Sequence, residues 1–149
     1  MMGNLNTLIC SLLFCSIFNR FCNAFVLYRL QSVGVRGVIH CAGRPLPDIH
    51  VKLLDDDEPD PDDVLAFGFT NANGSFFLEG HETEITNIDP VLKIFHKCND
   101  KGIPCERTWR IGVPDKYITI GEREPKKVMD VGILNVEVVL NGETRDCIH

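Results

Sequence analysis

An even set of four cysteines remains once the first 24 residues are set aside. That number constrains the fold of this chain more than any other feature. The full chain has seven, of which Cys10, Cys15 and Cys22 lie in the stretch MMGNLNTLICSLLFCSIFNRFCNA. Leu5, Leu8, Ile9, Leu12, Leu13, Phe14, Ile17 and Phe18 make that stretch apolar but too short to span a bilayer. Cys22 and Ala24 place small residues before Phe25, in the pattern of a secretory leader cleaved after residue 24. The start departs from that pattern in having no Lys or Arg ahead of the apolar run. Export to an oxidising compartment is the expectation. Cys41, Cys98, Cys105 and Cys147 then form a two-disulfide frame within residues 25–149, one domain with room for a core.

The whole chain carries a formal charge of −6 at pH 7. Nucleic acid and anionic membranes are therefore poor partners on electrostatics alone. No second long apolar segment follows the leader and no lipid-anchor signal closes the chain.

The pattern along residues 25–149 is that of strands. Val33, Val35, Gly37 and Ile39 alternate with Gly34, Arg36, Val38 and His40, and Ile49, Val51 and Leu53 repeat the period after a Gly43-Arg44-Pro45 turn. Residues 55–63, DDDEPDPDD, form an acidic loop, because prolines lack the donor a strand needs and the carboxylates repel. Leu65–Thr70 and Ser75–Glu79 flank Asn73-Gly74, which predicts a tight hairpin pairing Phe69 with Leu78 and Thr70 with Phe77, covered on both faces. Further strands are expected at 91–97, 106–113 and 133–140, with a short extended piece at 117–120. Some seven short strands without an amphipathic helix argue an all-β sandwich.

Cys98 and Cys105 close the NDKGIP turn between consecutive strands, where a hairpin brings Cα atoms to the ~5.5–6 Å a disulfide needs. That spacing predicts Cys98 with Cys105 and leaves Cys41 for Cys147. Both bridges read as structural, since no Cys-x-x-Cys redox motif is present.

The segments GVIHCAGRPLPDIHVKL, DPDD, TNANGSFFLEG, DPVLKIFHKCN, IGVPDKYIT and DVGILNVEVVLNGETRDCIH together resemble the nematode transthyretin-like family, over about residues 33–149. The resemblance implies a transthyretin-like (prealbumin-like) β-sandwich placed outside the cell or at its surface. Members of that family are described as bridges to lipids or cell surfaces, stress factors or host effectors, so the resemblance does not fix a ligand.

The candidate chemistries are few. The related hydroxyisourate hydrolases look for a His in the first strand, an Arg after the turn, and a terminal Tyr-Arg-Gly-Ser. Here the corresponding positions hold Val35, Arg36 and Gly37, then Ser75, then Arg145-Asp146-Cys147-Ile148-His149, and only His40 offers a substitute base. Seven carboxylates between residues 55 and 63 permit calcium, but the spacing lacks the Gly and Glu of an EF-hand. His40, His50, His81 and His96 have no zinc spacing. Asn73-Gly74-Ser75 is an N-glycosylation acceptor at an expected turn. Lys93, Lys97, Lys101, Arg107 and Arg110, with Lys116, Arg123, Lys126 and Lys127, make a basic face only if folding brings them together. The aromatic residues Phe67, Phe69, Phe76, Phe77, Phe95, Trp109 and Tyr117 read chiefly as core.

The expectation is a secreted, non-enzymatic binding or bridging protein that needs no cofactor. Its partner would be an extracellular protein, a lipid headgroup or a small apolar ligand. A hydroxyisourate-type hydrolase and a calcium-stabilised structural protein stand as alternatives.

Overall fold

Thirteen residues, Arg29–Cys41, form β1, the hub of one of two packed sheets. Its odd positions Gln31, Val33, Val35 and Ile39 are buried while Arg36 faces water, as period-two alternation requires. The structure, a computed structural model, describes residues 27–56 and 62–148. The expected leader and the middle of the acidic loop lie outside these residues.

β1 pairs antiparallel with β2 (Arg44–Pro45), β5 (Ser75–Glu84) and β8 (Thr119–Ile120), and parallel with β9 (Val128–Asn135). The second sheet runs β10 (Thr144–Asp146), β7 (Glu106–Gly112), β6 (Pro90–His96), β3 (His50–Asp55) and β4 (Asp63–Phe69), all antiparallel. Seven of the ten strands are six residues or longer, the expected number. Between the sheets lie Val33, Val35 and Ile39 of β1, Phe76 and Leu78 of β5, Val51 and Leu53 of β3, Leu92 and Ile94 of β6, and Trp109 of β7. No helix among the described residues is long and apolar enough to cross a membrane.

Three expectations need correction. The turn at Asn73-Gly74 does not close a hairpin, because β4 pairs with β3 and β5 pairs with β1 in the other sheet. Asn71 organises the turn: its Oδ1 accepts the N–H groups of Asn73 and Ser75 at 2.9 and 3.1 Å, and its carbonyl accepts Gly74 N–H at 2.8 Å. Gly74 has φ +73°, and a Cβ there would lie 2.5 Å from the Ile39 carbonyl oxygen, so glycine is needed to cross between sheets. Phe69 and Phe77 consequently sit on the outer faces of separate sheets, where both are exposed, as is Phe67.

The last long strand is 128–135, not 133–140. Its parallel pairing with β1 ends where Val136 N–H donates to the His40 carbonyl at 2.9 Å, and 136–143 then turns toward the second sheet. The piece at 117–120 is divided between a 3-10 turn, Asp115–Tyr117, and β8.

The cysteine pairing is also different: Cys41 bonds Cys98, and Cys105 bonds Cys147. Cys98 continues the inward-facing series Leu92, Ile94 and His96, and Cys41 continues Val35 and Ile39, so these two meet across the core. Cys105 has φ 70°, which turns its side chain out of register with Cys98. The ladder that pairs Asp146 with Glu106 instead sets Cys105 opposite Cys147.

Candidate binding surface

Both disulfides stand at the same end of the sandwich, where the loops following β1, β6 and β9 meet. Arg107, only 3% exposed, holds these loops together. Its Nε and Nη2 donate to the two carboxylate oxygens of Glu143 at 2.6 and 2.7 Å. Nη1 donates to the carbonyls of Cys98 (2.6 Å) and Val136 (3.1 Å), and Nη2 also donates to Val138 (2.8 Å). All five N–H groups of the guanidinium are thereby used. Trp109 Nε1 donates to Glu143 at 2.9 Å. The hydrogen bond from Arg107, helped by that from Trp109 against the cost of burial, holds the Glu143 carboxyl down at about 2. The same pairing raises the Arg107 guanidinium above its usual value.

Beside this clamp, on the outer face of the second sheet, runs an open groove of about 390 Å³. It is lined by Asp48 and Ile49 before β3, His50 and Phe69, Phe95 and His96 at the end of β6, and Lys97 and Glu106 across the next turn. The His50 ring stacks on Phe69 (5.0 Å, 21°) and on Phe95 (5.3 Å, 26°), and meets Phe67 edge-on at 6.3 Å. Cross-strand pairing puts them there, since His50 lies opposite Phe69 on one side and Phe95 on the other. Phe67 and Phe69 are 65% and 61% exposed, large apolar side chains on a surface strand. Lys52 Nζ lies 5.8 Å from the centre of the Phe95 ring. Ile103, Val138 and Val139 are exposed on the loops of the same end, and Asn99 Nδ2 ties two of those loops by donating to Glu137 at 3.1 Å.

The cations around β6 and β7 do not form a free basic face. Lys93 meets Asp62 at 2.8 Å, Arg110 meets Asp56 and Asp62, Lys97 meets Glu106 at 3.7 Å, and Arg107 is inside. The two ends of the acidic loop thus serve as counter-charges for the neighbouring strands. Lys93, chiefly through its hydrogen bond, and then Arg110 lower the Asp62 carboxyl. Among the described residues no three His, Cys, Asp or Glu side chains gather as a metal site. His40 makes no side-chain hydrogen bond among the described residues, so nothing there orients it as a base. Asn73 is exposed at its turn, and Cys41, Cys98, Cys105 and Cys147 are all in disulfides. The groove escaped sequence reading because its aromatic residues were assigned to the core. The signal available was the phase of His50 against Val51 and Leu53, which puts His50 outside.

The family model described as "TTR-52: Transthyretin-like family" matches residues 36–114. Among curated proteins of Caenorhabditis elegans, transthyretin-like protein 5 is 47% identical over 80% of this chain and 86% of its own length. Transthyretin-like protein 33 is 43% identical over 80% and 83%, and transthyretin-like protein 1 is 33% identical over 93% and 94%.

Proposed function

Because the chain belongs to the transthyretin-like family, we propose that it is an extracellular, non-enzymatic binding or bridging protein that recognises a protein on a cell surface. The observation that carries this reading is the stack of half-buried His50 between exposed Phe69 and buried Phe95, set in an open groove at the stapled end of the sandwich. Aromatic side chains on a rigid strand give large contact area at low entropic cost, the usual make-up of an interface anchor. Loops gathered at one end of a braced scaffold supply the surrounding rim. A lipid headgroup is the weaker partner, since Lys93, Lys97, Arg107 and Arg110 already face carboxylates.

The test is retention of the tagged, exported chain on intact cells, before and after mild surface proteolysis. Retention that is lost on proteolysis and falls at least about tenfold in the double variant His50→Ala, Phe69→Ala supports a protein partner. Flotation with anionic or neutral liposomes, with retention untouched by proteolysis, replaces the protein partner with lipid. Retention equal in the variant and the parent removes the groove from the reading.

A further inference from the structure

We propose that His96 is an acid-sensitive trigger which, once protonated, releases residues 136–143 from Arg107 and loosens the binding end of the sandwich. This regulation rests on the reading of that end as the binding surface.

His96 and Arg107 are direct cross-strand partners on β6 and β7, and both side chains point into the protein. His96 is 1% exposed, and among the described residues neither Nδ1 nor Nε2 has a hydrogen-bond partner. Its ring instead meets Trp109 edge-on at 6.0 Å. A neutral imidazole tolerates that setting, whereas an imidazolium needs two acceptors and has none. It would also stand directly across from a buried guanidinium, where like charges oppose each other with little screening.

The charged groups that face His96 come from every side of this end. Arg107 on β7 and Arg145 on β10 disfavour its protonation, while Glu143 and Asp100, from the 136–143 segment and the β6–β7 loop, favour it. Burial first, and Arg107 second, depress the imidazole to about 4. The Glu143 carboxyl is held down to about 2, so its own protonation comes at more acid pH than that of His96.

Relief comes when Glu143 and the carbonyls of Val136 and Val138 let go of Arg107: the attraction of Glu143 for the imidazolium is given up, but burial, the larger effect, is lifted. Freed imidazole then gains water, and the guanidinium is no longer held against it. The segment that departs carries Val138 and Val139, 56% and 73% exposed, at the same end of the sandwich as the groove. Acid would therefore remodel the surface that engages the partner, while the disulfides and the sheets stay in place.

Trp109 is the sole tryptophan of the chain and touches both His96 and Glu143, so its fluorescence reports the event directly. The exported full chain is titrated from neutral pH to about pH 3, with the far-ultraviolet circular dichroism followed in parallel. The expected result is a reversible change in Trp109 emission with its midpoint between about 4 and 6.5, and an unchanged β signal. His96→Gln abolishes that step. His96→Phe, which keeps a ring against Trp109, abolishes it as well and serves if the first variant folds poorly. A step that persists in the folded variant, its absence from the parent above about pH 4, or loss of the β signal in the same step overturns the proposal. The titration uses no partner, so its failure is separate from failure of the cell-retention assay at neutral pH.

Discussion

Arg107 and Glu143 form a two-pronged ion pair inside the protein, with side chains only 3% and 10% exposed. Taking one partner away leaves an uncompensated buried charge, which costs far more than the net contribution of the pair. Glu143→Gln is expected to lower unfolding free energy by about 3–5 kcal/mol in urea denaturation. Asp130→Asn supplies the contrast. Arg36 and Asp130 are also paired, at 3.0 Å, but are 60% and 52% exposed. Its removal should leave the urea midpoint nearly where it is. Equal losses in the two variants would contradict the burial argument.

Acid should destabilise the fold in two stages. His96 has a folded value near 4 against 6.5 unfolded, so the unfolded chain binds the proton more readily. Stability therefore falls as pH drops from 6.5 toward 4 and is unaffected by His96 above that window. Glu143 is depressed to about 2 from 4.5, so the stability it contributes is whole above 4.5 and is lost as pH falls toward 2. Denaturation midpoints measured across this range should decline in both windows, and His96→Phe should flatten only the upper one.

Peptide mapping of the non-reduced protein should yield linked fragments containing Cys41 with Cys98 and Cys105 with Cys147. The bridges close spans of 57 and 42 residues, and chain entropy assigns each about 4 kcal/mol. Paired Cys41→Ser, Cys98→Ser substitution should lose a comparable amount. A fragment joining Cys98 to Cys105 would restore the hairpin pairing.

Gly80→Ala should also cost stability. A Cβ at this position runs into the carbonyl of Leu65, the point at which β4 presses on β5 from the other sheet. Backbone cannot yield as a flexible side chain does, so about 1–3 kcal/mol is expected. Gly112→Ala, where a Cβ meets nothing within 4 Å, should be nearly silent when the two variants are compared by thermal melting.

Alternation alone placed β3, β6 and β7 close to their observed limits, while β1 begins four residues before the alternation read from Val33. The same rule misplaced the last strand. Leu134, Val136, Val138 and Leu140 continue a period of two past the residue at which pairing with β1 stops, and the stop depends on a hydrogen bond to His40 that local pattern does not encode. Asn73-Gly74 carries a strong hairpin signal, yet the turn links two sheets, since what matters is whether Thr70 bonds back across β3 or across β5. It bonds toward β3, with Ile49 N–H donating to Thr70 Oγ1 at 2.9 Å. The cysteine pairing was readable in part from phase: Cys41 and Cys98 each extend an inward-facing series. The left-handed backbone at Cys105 was not readable. The clamp was hidden for a different reason, as Arg107 and Glu143 are far apart in sequence and either alone looks like an ordinary surface charge.

With Cys41–Cys98 and Cys105–Cys147 both at one extremity, the two layers are bound like the pages of a booklet along a single spine. At the far extremity Asp55, Pro90 and Gly112 are held by ladders and side-chain contacts alone among the described residues. Mechanical pulling or a digestive protease should therefore open the molecule from that loose margin inward. The bound margin, where the partner is proposed to sit, would be the last part to lose its shape.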